Sequence, residues 1–201
     1  MPERLPCKAA RFVAGNIKEG TAVTSGDWVS TSAPYVAPRR EGQGDAWTEE
    51  ADQRGQRGGQ RIVHAGEVPA PPEVATSLGV APGTTVVVRQ RVMLLDGAPV
   101  ELTDTYYPAD VARGTRLAET AKIPGGAVTF LASLGFEPRR IHEEVYARLA
   151  AAHEREALGL TEGEPVLCMT RVTDDGARAF QVDLTVFPAA GQRLRYDLRV
   201  G

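Results

Sequence analysis

Apolar and polar positions alternate most clearly between Val86 and Tyr107, where β-branched and aromatic residues fill two arms on either side of Asp96-Gly97. Alternation with a period of two marks a half-buried strand, and an Asp-Gly pair supplies the positive φ that a short hairpin loop needs. The pattern therefore predicts a β-hairpin. Around it the period lengthens or breaks. Asp45–Gly55 reads as a short helix with Asp45 as N-cap, Gln60–Val68 as a strand ended by Pro69, and Pro71–Leu78 as a helix with proline in its first turn. Further on, Ala127–Leu134 and Ala151–Leu158 read as helices, Arg139–Leu149 as a strand with one strongly polar face, and Leu194–Val200 as a last strand. Prolines 2, 6, 34 and 38 and several glycines break up residues 1–45, which read as an irregular arm packed on a body spanning 46–201. Within the arm, Trp28–Val36 fits a strand or an extended strap.

A repeat runs through the second half. Leu78-Gly79-Val80 with Gly83 matches Leu158-Gly159-Leu160 with Gly163, Arg91-Val92 matches Arg171-Val172, and Tyr107-Pro108-Ala109 matches Phe187-Pro188-Ala189. Each copy is a short helix, a glycine turn and a hairpin, so the expected class is an α+β domain: an antiparallel sheet with short helices, built from two related helix–hairpin units.

The first hairpin carries unusual chemistry. Arg89 and Arg91 lie two apart, so a strand points both to one face. On the return arm Glu101, Thr103, Thr105 and Tyr107 share a face. Planar guanidinium forks suit carboxylate or phosphate, although cross-strand Arg–carboxylate pairs are also ordinary sheet decoration. A two-residue loop at Asp96-Gly97 places Arg91 opposite Leu102; a three-residue loop from Leu95 places it opposite Glu101. A one-residue slip exchanges the faces, and the local sequence leaves the choice open. In the repeat, Glu101 corresponds to Gln181 and Arg89 to Met169, so the second copy keeps the scaffold and loses part of the charge. A Gly125-Gly126 pair ahead of the next helix offers backbone amides to an anion.

Composition narrows the classes. With 201 residues and 42% apolar content the chain buries a real core, and a net charge of -3 argues against electrostatic attachment to nucleic acid. No DNA-reading helix is legible in residues 1–45. Cys7 and Cys168 match no metal or redox spacing, and His64, His142 and His153 are scattered, so neither a metal nor a cofactor is expected. No apolar run reaches membrane-spanning length.

Taken together, Leu78-Gly-Val-Ala-Pro-Gly, Val88-Arg-Gln-Arg-Val, Asp96-Gly-Ala-Pro-Val-Glu101, Tyr106-Tyr-Pro-Ala, Arg140-Ile-His-Glu-Glu-Val and the closing run Thr170-Arg-Val to Phe187-Pro resemble the UTRA domain. That is the effector-binding domain of HutC-type GntR transcription regulators, and the resemblance covers residues from about 60 to 200. It implies a chorismate-lyase-like fold with a small-molecule pocket. In the branch that senses sugar phosphates, an Arg-x-Arg pair and a later glutamate bind effector. Carried over, these fall on Arg89, Arg91 and Glu101, which favours the three-residue loop. The strand around His64 lines the same pocket, giving an expected ligand set of His64, Arg89, Arg91, Glu101, Thr103 and Tyr107. Family regulators carry a winged helix ahead of this domain; none is expected between Met1 and the domain, so the chain reads either as a truncated regulator or as a free-standing copy. The expectation is a cytoplasmic, homodimeric sensor of a small anionic polar metabolite that makes no direct DNA or membrane contact. The alternative is a free-standing lyase, isomerase or cyclase of the same fold, with Glu101, His142, Glu143 and Glu144 as acid–base candidates.

Overall fold

The computed structural model describes residues 28–40 and 43–196. In chain order the elements are β1 (Trp28–Ser30), α1 (Ala33–Val36), α2 (Ala46–Asp52), β2 (Gly58–Pro69), α3 (Pro72–Leu78), β3 (Thr85–Leu95), β4 (Ala98–Pro108), α4 (Ala109–Ala112), a 3-10 turn (Arg116–Ala118), α5 (Gly126–Ser133), β5 (Arg140–Leu149), α6 (Ala152–Leu158), β6 (Pro165–Asp174), β7 (Ala179–Pro188) and β8 (Gln192–Leu194).

Six strands form one antiparallel sheet in the order β2-β3-β4-β7-β6-β5. The two hairpins of the repeat meet at its centre, where Thr103 pairs with Thr185, Asp104 with Leu184 and Thr105 with Asp183. The repeat thus becomes a pseudo-twofold relation about the β4–β7 seam. One sheet face is covered by the two repeat helices. Val74, Ala75 and Leu78 of α3 pack on Val86, Val88, Tyr106 and Val182, and Ala157 and Leu158 of α6 pack on Val92, Leu102, Val166 and Val186. Both helices end at a left-handed glycine, Gly79 and Gly159, which supplies the C-cap conformation a side chain resists.

The other face is covered only at its ends. At one end Trp47 and Ala51 of α2 meet Met93 and Leu95. At the other, Val111, Ala112, Leu117, Ile123 and Leu131 enclose Val87, Tyr107 and Phe180. Residues 31–39 run as a strap over the gap between, beginning from β1, which pairs in parallel with β8. Trp28–Val36, readable as strand or strap, is therefore a three-residue strand followed by a helical turn. The last strand ends at Leu194 rather than starting there, because its partner β1 is only three residues long. Residues 1–27 of the expected arm, with Cys7, and residues 197–201 lie outside the described residues.

The hairpin register matches neither expected alternative. The loop has two residues, Asp96 (φ 51) and Gly97 (φ 87), with Leu95 opposite Ala98. Beyond it, however, Met93 pairs with Glu101 while Leu94 pairs with Pro99, so Val100 is a bulged extra residue. The bulge moves Arg91 opposite Thr103 and Arg89 opposite Thr105. Opposed residues share a face, so the two arginines still lie with Glu101, Thr103, Thr105 and Tyr107. The same bulge recurs in the second hairpin at Phe180, where Thr173 pairs with Gln181 and Asp174 with Ala179.

Candidate functional site

The half-covered face, the strap and α5 enclose a cavity of about 1250 Å³. Its floor is polar and comes from both hairpins: Arg89 and Arg91 from β3, Glu101, Thr103 and Tyr107 from β4, Gln181, Asp183 and Thr185 from β7, Met169 and Arg171 from β6. Ser32, Tyr35 and Arg39 of the strap form the roof. Four side-chain contacts hold the roof down. Ser32 Oγ donates to Glu143 Oε2 at 2.8 Å, the Tyr35 hydroxyl donates to Glu50, Arg39 pairs with Glu49, and the Arg39 amide donates to Thr129 Oγ1 at 3.0 Å.

Of the expected ligand set, Arg89, Arg91, Glu101, Thr103 and Tyr107 line this cavity, and His64 does not. A bulge at Val63 explains the difference. Ile62 pairs with Arg91, but His64 pairs with Gln90, so His64 is turned to the opposite face and its ring is exposed. Had Val63 paired with Gln90 in unbroken register, His64 would face Arg89.

The two arginines have different roles. Arg89 is 4% exposed, and its guanidinium donates to backbone carbonyls. Nη1 reaches Arg116 O at 3.0 Å, Leu117 O at 3.4 Å and Glu119 O, and Nη2 reaches Ala121 O at 3.1 Å. It clamps the 116–121 segment, whose Leu117 packs with Val87 and Tyr107 at one end of the sheet face. Arg91 is lightly engaged. Its Nη2 donates to Thr105 Oγ1 at 3.0 Å, and its buried Nε has no hydrogen-bond partner among the described residues. Among the described residues Arg91 has no carboxylate within ion-pairing distance.

A hydrogen-bonded chain crosses the seam from Arg91. Thr105 Oγ1 donates to Asp183 Oδ1 at 2.6 Å, and Gln181 Nε2 donates to Asp183 Oδ2 at 2.7 Å. Thr103 Oγ1 donates to Glu101 Oε1 at 2.5 Å. Burial pushes the Glu101 carboxyl above its ordinary range, and the neighbouring Asp183 charge adds to that push, outweighing Thr103, Arg91 and Arg171, which act the other way. Burial and Asp183 likewise raise the Tyr107 phenol.

Arg171, the repeat partner of Arg91, is paired. Its Nε donates to Glu143 Oε1 at 2.6 Å. Burial raises the Glu143 carboxyl, but Arg171, then Ser32, overcome this and hold it below the ordinary range. Of the four acid–base candidates, Glu101 lines the cavity and Glu143 stands behind Arg171. His142 and Glu144 are exposed and pair with Val172 and Thr170, residues of the opposite face. Gly125 and Gly126 reach the cavity wall, but the Gly126 amide donates to Ile123 O at 3.0 Å within its own turn. Arg171, Gln181 and Asp183 were absent from the expected set. The repeat held the signal, since Arg91, Glu101 and Thr103 map onto them.

A cavity with a polar floor over an antiparallel sheet, roofed by a strap, is the form a small-molecule-binding domain takes. Comparison with known proteins gives the family. The UTRA domain profile matches residues 53–191, and the chain belongs to that family. An uncharacterized HTH-type transcriptional regulator of Rhizobium meliloti (strain 1021) is 33% identical over 141 residues, covering 69% of this chain and 57% of the relative. The chain thus spans a little over half the length of that curated relative. The effector domain of PhnF from Mycobacterium smegmatis superposes with a TM-score of 0.65 at 25% identity, over 82% of this chain and 99% of that one. The C-terminal domain of the histidine utilization repressor from Pseudomonas syringae pv. tomato str. DC3000 shares the fold, with a TM-score of 0.59 at 23% identity over 72% and 100%. The fold is the chorismate-lyase-like one of GntR-regulator effector domains. Among the described residues no helix is long and apolar enough to cross a membrane.

Proposed function

We propose that the cavity is the effector site of a ligand-sensing domain in transcription control, and that its ligand is a small polar metabolite whose anionic end rests on Arg91. One observation carries this reading. Among the described residues, Arg91 holds a buried, unpartnered Nε at the wall of a cavity and has no carboxylate within ion-pairing distance. A buried donor left unmade costs about 1–3 kcal/mol, a penalty that an incoming carboxylate or phosphate removes. Glu101 and Thr103 sit beside it to read hydroxyl or amine groups. Sensing then needs only that ligand favour one arrangement of the strap. In this reading the domain works in the cytoplasm as a homodimer. DNA contact belongs to a helix-turn-helix unit such as the relative's name declares, and this domain touches neither DNA nor membrane.

The enzyme reading has one observation in its favour: a carboxyl with a raised pKa, Glu101, facing the cavity as a general acid would. Native mass spectrometry after incubation with metabolite pools separates the two. A ligand retained at unchanged mass by the wild type and lost by Arg91→Ala supports the sensor. Protein-dependent conversion of a pool component supports a lyase, isomerase or cyclase. Retention indifferent to Arg91→Ala contradicts the site.

A further inference from the structure

The cavity floor holds a second orphaned group. Gln181 is 7% exposed, lines the cavity, and its Oε1 is buried without a hydrogen-bond partner among the described residues. Its orientation is fixed by chemistry: Nε2 donates to Asp183 Oδ2 at 2.7 Å, and a flipped amide would set oxygen against carboxylate. The open atom is therefore an acceptor. Beside it Asp183, 4% exposed, also lines the cavity and is an acceptor-only group once ionised. Two donors reach it, Thr105 and Gln181, one to each oxygen, which leaves lone pairs on both. Gln181 and Asp183 thus form an acceptor site that asks for a donor.

This acceptor site lies close to Arg91. A single hydroxyl, Thr105 Oγ1, links the Arg91 guanidinium at 3.0 Å to the Asp183 carboxylate at 2.6 Å. The floor therefore presents positive charge on β3 and negative charge on β7 at a separation of one hydrogen-bonded group, with Arg171, the cross-strand neighbour of Asp183, already engaged by Glu143. A ligand with a bare anion satisfies the first and leaves the second unmet. An ammonium is donor-only and cationic, and so fits Asp183 and Gln181 better than a hydroxyl, which supplies one proton and no charge.

Resting on the effector-site reading above, we infer that the ligand is a compact zwitterion, with its carboxylate or phosphate on Arg91 and an ammonium on Gln181 Oε1 and Asp183. The close spacing of the two reading groups favours ligands whose anion and amine are separated by few bonds, as in 2-amino acids and phosphate esters of short amino alcohols. Glu101, whose carboxyl is pushed above its ordinary range by burial and, to a lesser degree, by Asp183, lies in the same wall.

The test uses the full chain and four pools of matched skeleton: simple carboxylates, 2-aminocarboxylates, phosphate monoesters of alcohols, and phosphate monoesters of amino alcohols. Retention is read by native mass spectrometry and affinity by calorimetry. The expected result is retention from an amine-bearing pool alone, lost in Arg91→Ala and weakened about tenfold or more by Asp183→Asn and by Gln181→Leu. Which amine pool is retained decides between carboxylate and phosphate. An Arg91-dependent ligand without an amine, indifferent to Gln181→Leu, overturns this inference and leaves the sensor reading standing. No Arg91-dependent retention from any pool overturns both. Should Asp183→Asn fail to fold, the amine preference of the wild type and the Gln181→Leu variant carry the decision.

Discussion

Arg91 and Arg171 occupy equivalent positions in the two hairpins, and only Arg171 faces carboxylates across the sheet. Its cross-strand neighbours are Glu143 on β5 and Asp183 on β7, whereas those of Arg91 are Ile62 on β2 and Thr103 on β4. The repeat thus produces one neutralised arginine and one with an open valence. The same guanidinium is structural in one half of the sheet and a candidate anion reader in the other.

Arg89 is predicted to matter for stability before binding. Arg89→Ala leaves the carbonyls of Arg116, Glu119 and Ala121 without their donor in a partly buried setting, at up to about 1–3 kcal/mol for each group not rescued by water. Arg89→Lys fails to restore them, because a point charge cannot span the carbonyls that the planar fork reaches. Thermal unfolding measures the loss, and hydrogen exchange is expected to show deprotection confined first to 116–121.

The repeat also differs on its helical face. Arg148 and Glu154 form a two-pronged ion pair, both contacts at 2.6 Å, with Glu154 fully buried and also accepting from the Ala151 amide at 2.8 Å. The equivalent residues of the first unit are Val68 and Val74, packed in its core. Glu154→Ala strands the Arg148 charge and is expected to cost about 3 kcal/mol. The double variant Arg148→Val/Glu154→Val recreates the first unit's solution and is expected to recover most of that loss in chemical denaturation. For the wild type, burial pushes the Glu154 carboxyl up, but the Arg148 and Ala151 hydrogen bonds outweigh it and hold its pKa below the ordinary range. The pair's contribution is therefore present above the unfolded value of about 4.3. It is lost as pH falls through the lower folded value, and the double variant is expected to flatten that acid arm.

Glu101 acts with the opposite sign. Its folded pKa is raised, so the folded state keeps a proton that the unfolded chain gives up above about pH 4.3. Its contribution is most favourable below that pH and diminishes as pH rises through the folded value. Glu101→Gln is expected to be more stable than wild type at neutral pH, with the difference vanishing near pH 4. Unfolding midpoints across this range check it; a stability gain that persists at pH 4 contradicts the assignment.

The hairpins and the helices were legible from the period-two pattern, the Asp96-Gly97 turn and the repeat, whereas the sharing of one face by Arg89, Arg91 and Glu101 followed only from the family resemblance, through a three-residue loop that the structure replaces with a two-residue loop and a bulge. The register was not legible, because bulges at Val63 and Val100 have no residue-type signature: both insert an ordinary valine. The first removes His64 from the cavity. The role of Arg89 was hidden for a related reason, since its acceptors are backbone carbonyls, which any sequence supplies. Arg171 and Asp183 were within reach, because the repeat maps Arg91 and Thr103 onto them.

The most direct test of the account is to give Arg91 the counter-ion its repeat partner has. Ile62→Glu places a carboxylate directly across the strand pair, as Glu143 stands across from Arg171, and Ile62→Gln controls for shape without charge. An ion pair of this kind, partly shielded from water, is worth more than about 1.4 kcal/mol, or one order of magnitude in affinity. Calorimetry with the ligand retained by the wild type is expected to show Ile62→Glu binding at least about tenfold more weakly than Ile62→Gln. Equal affinities for the two variants would contradict the claim that Arg91 is the open anion-reading group of this cavity.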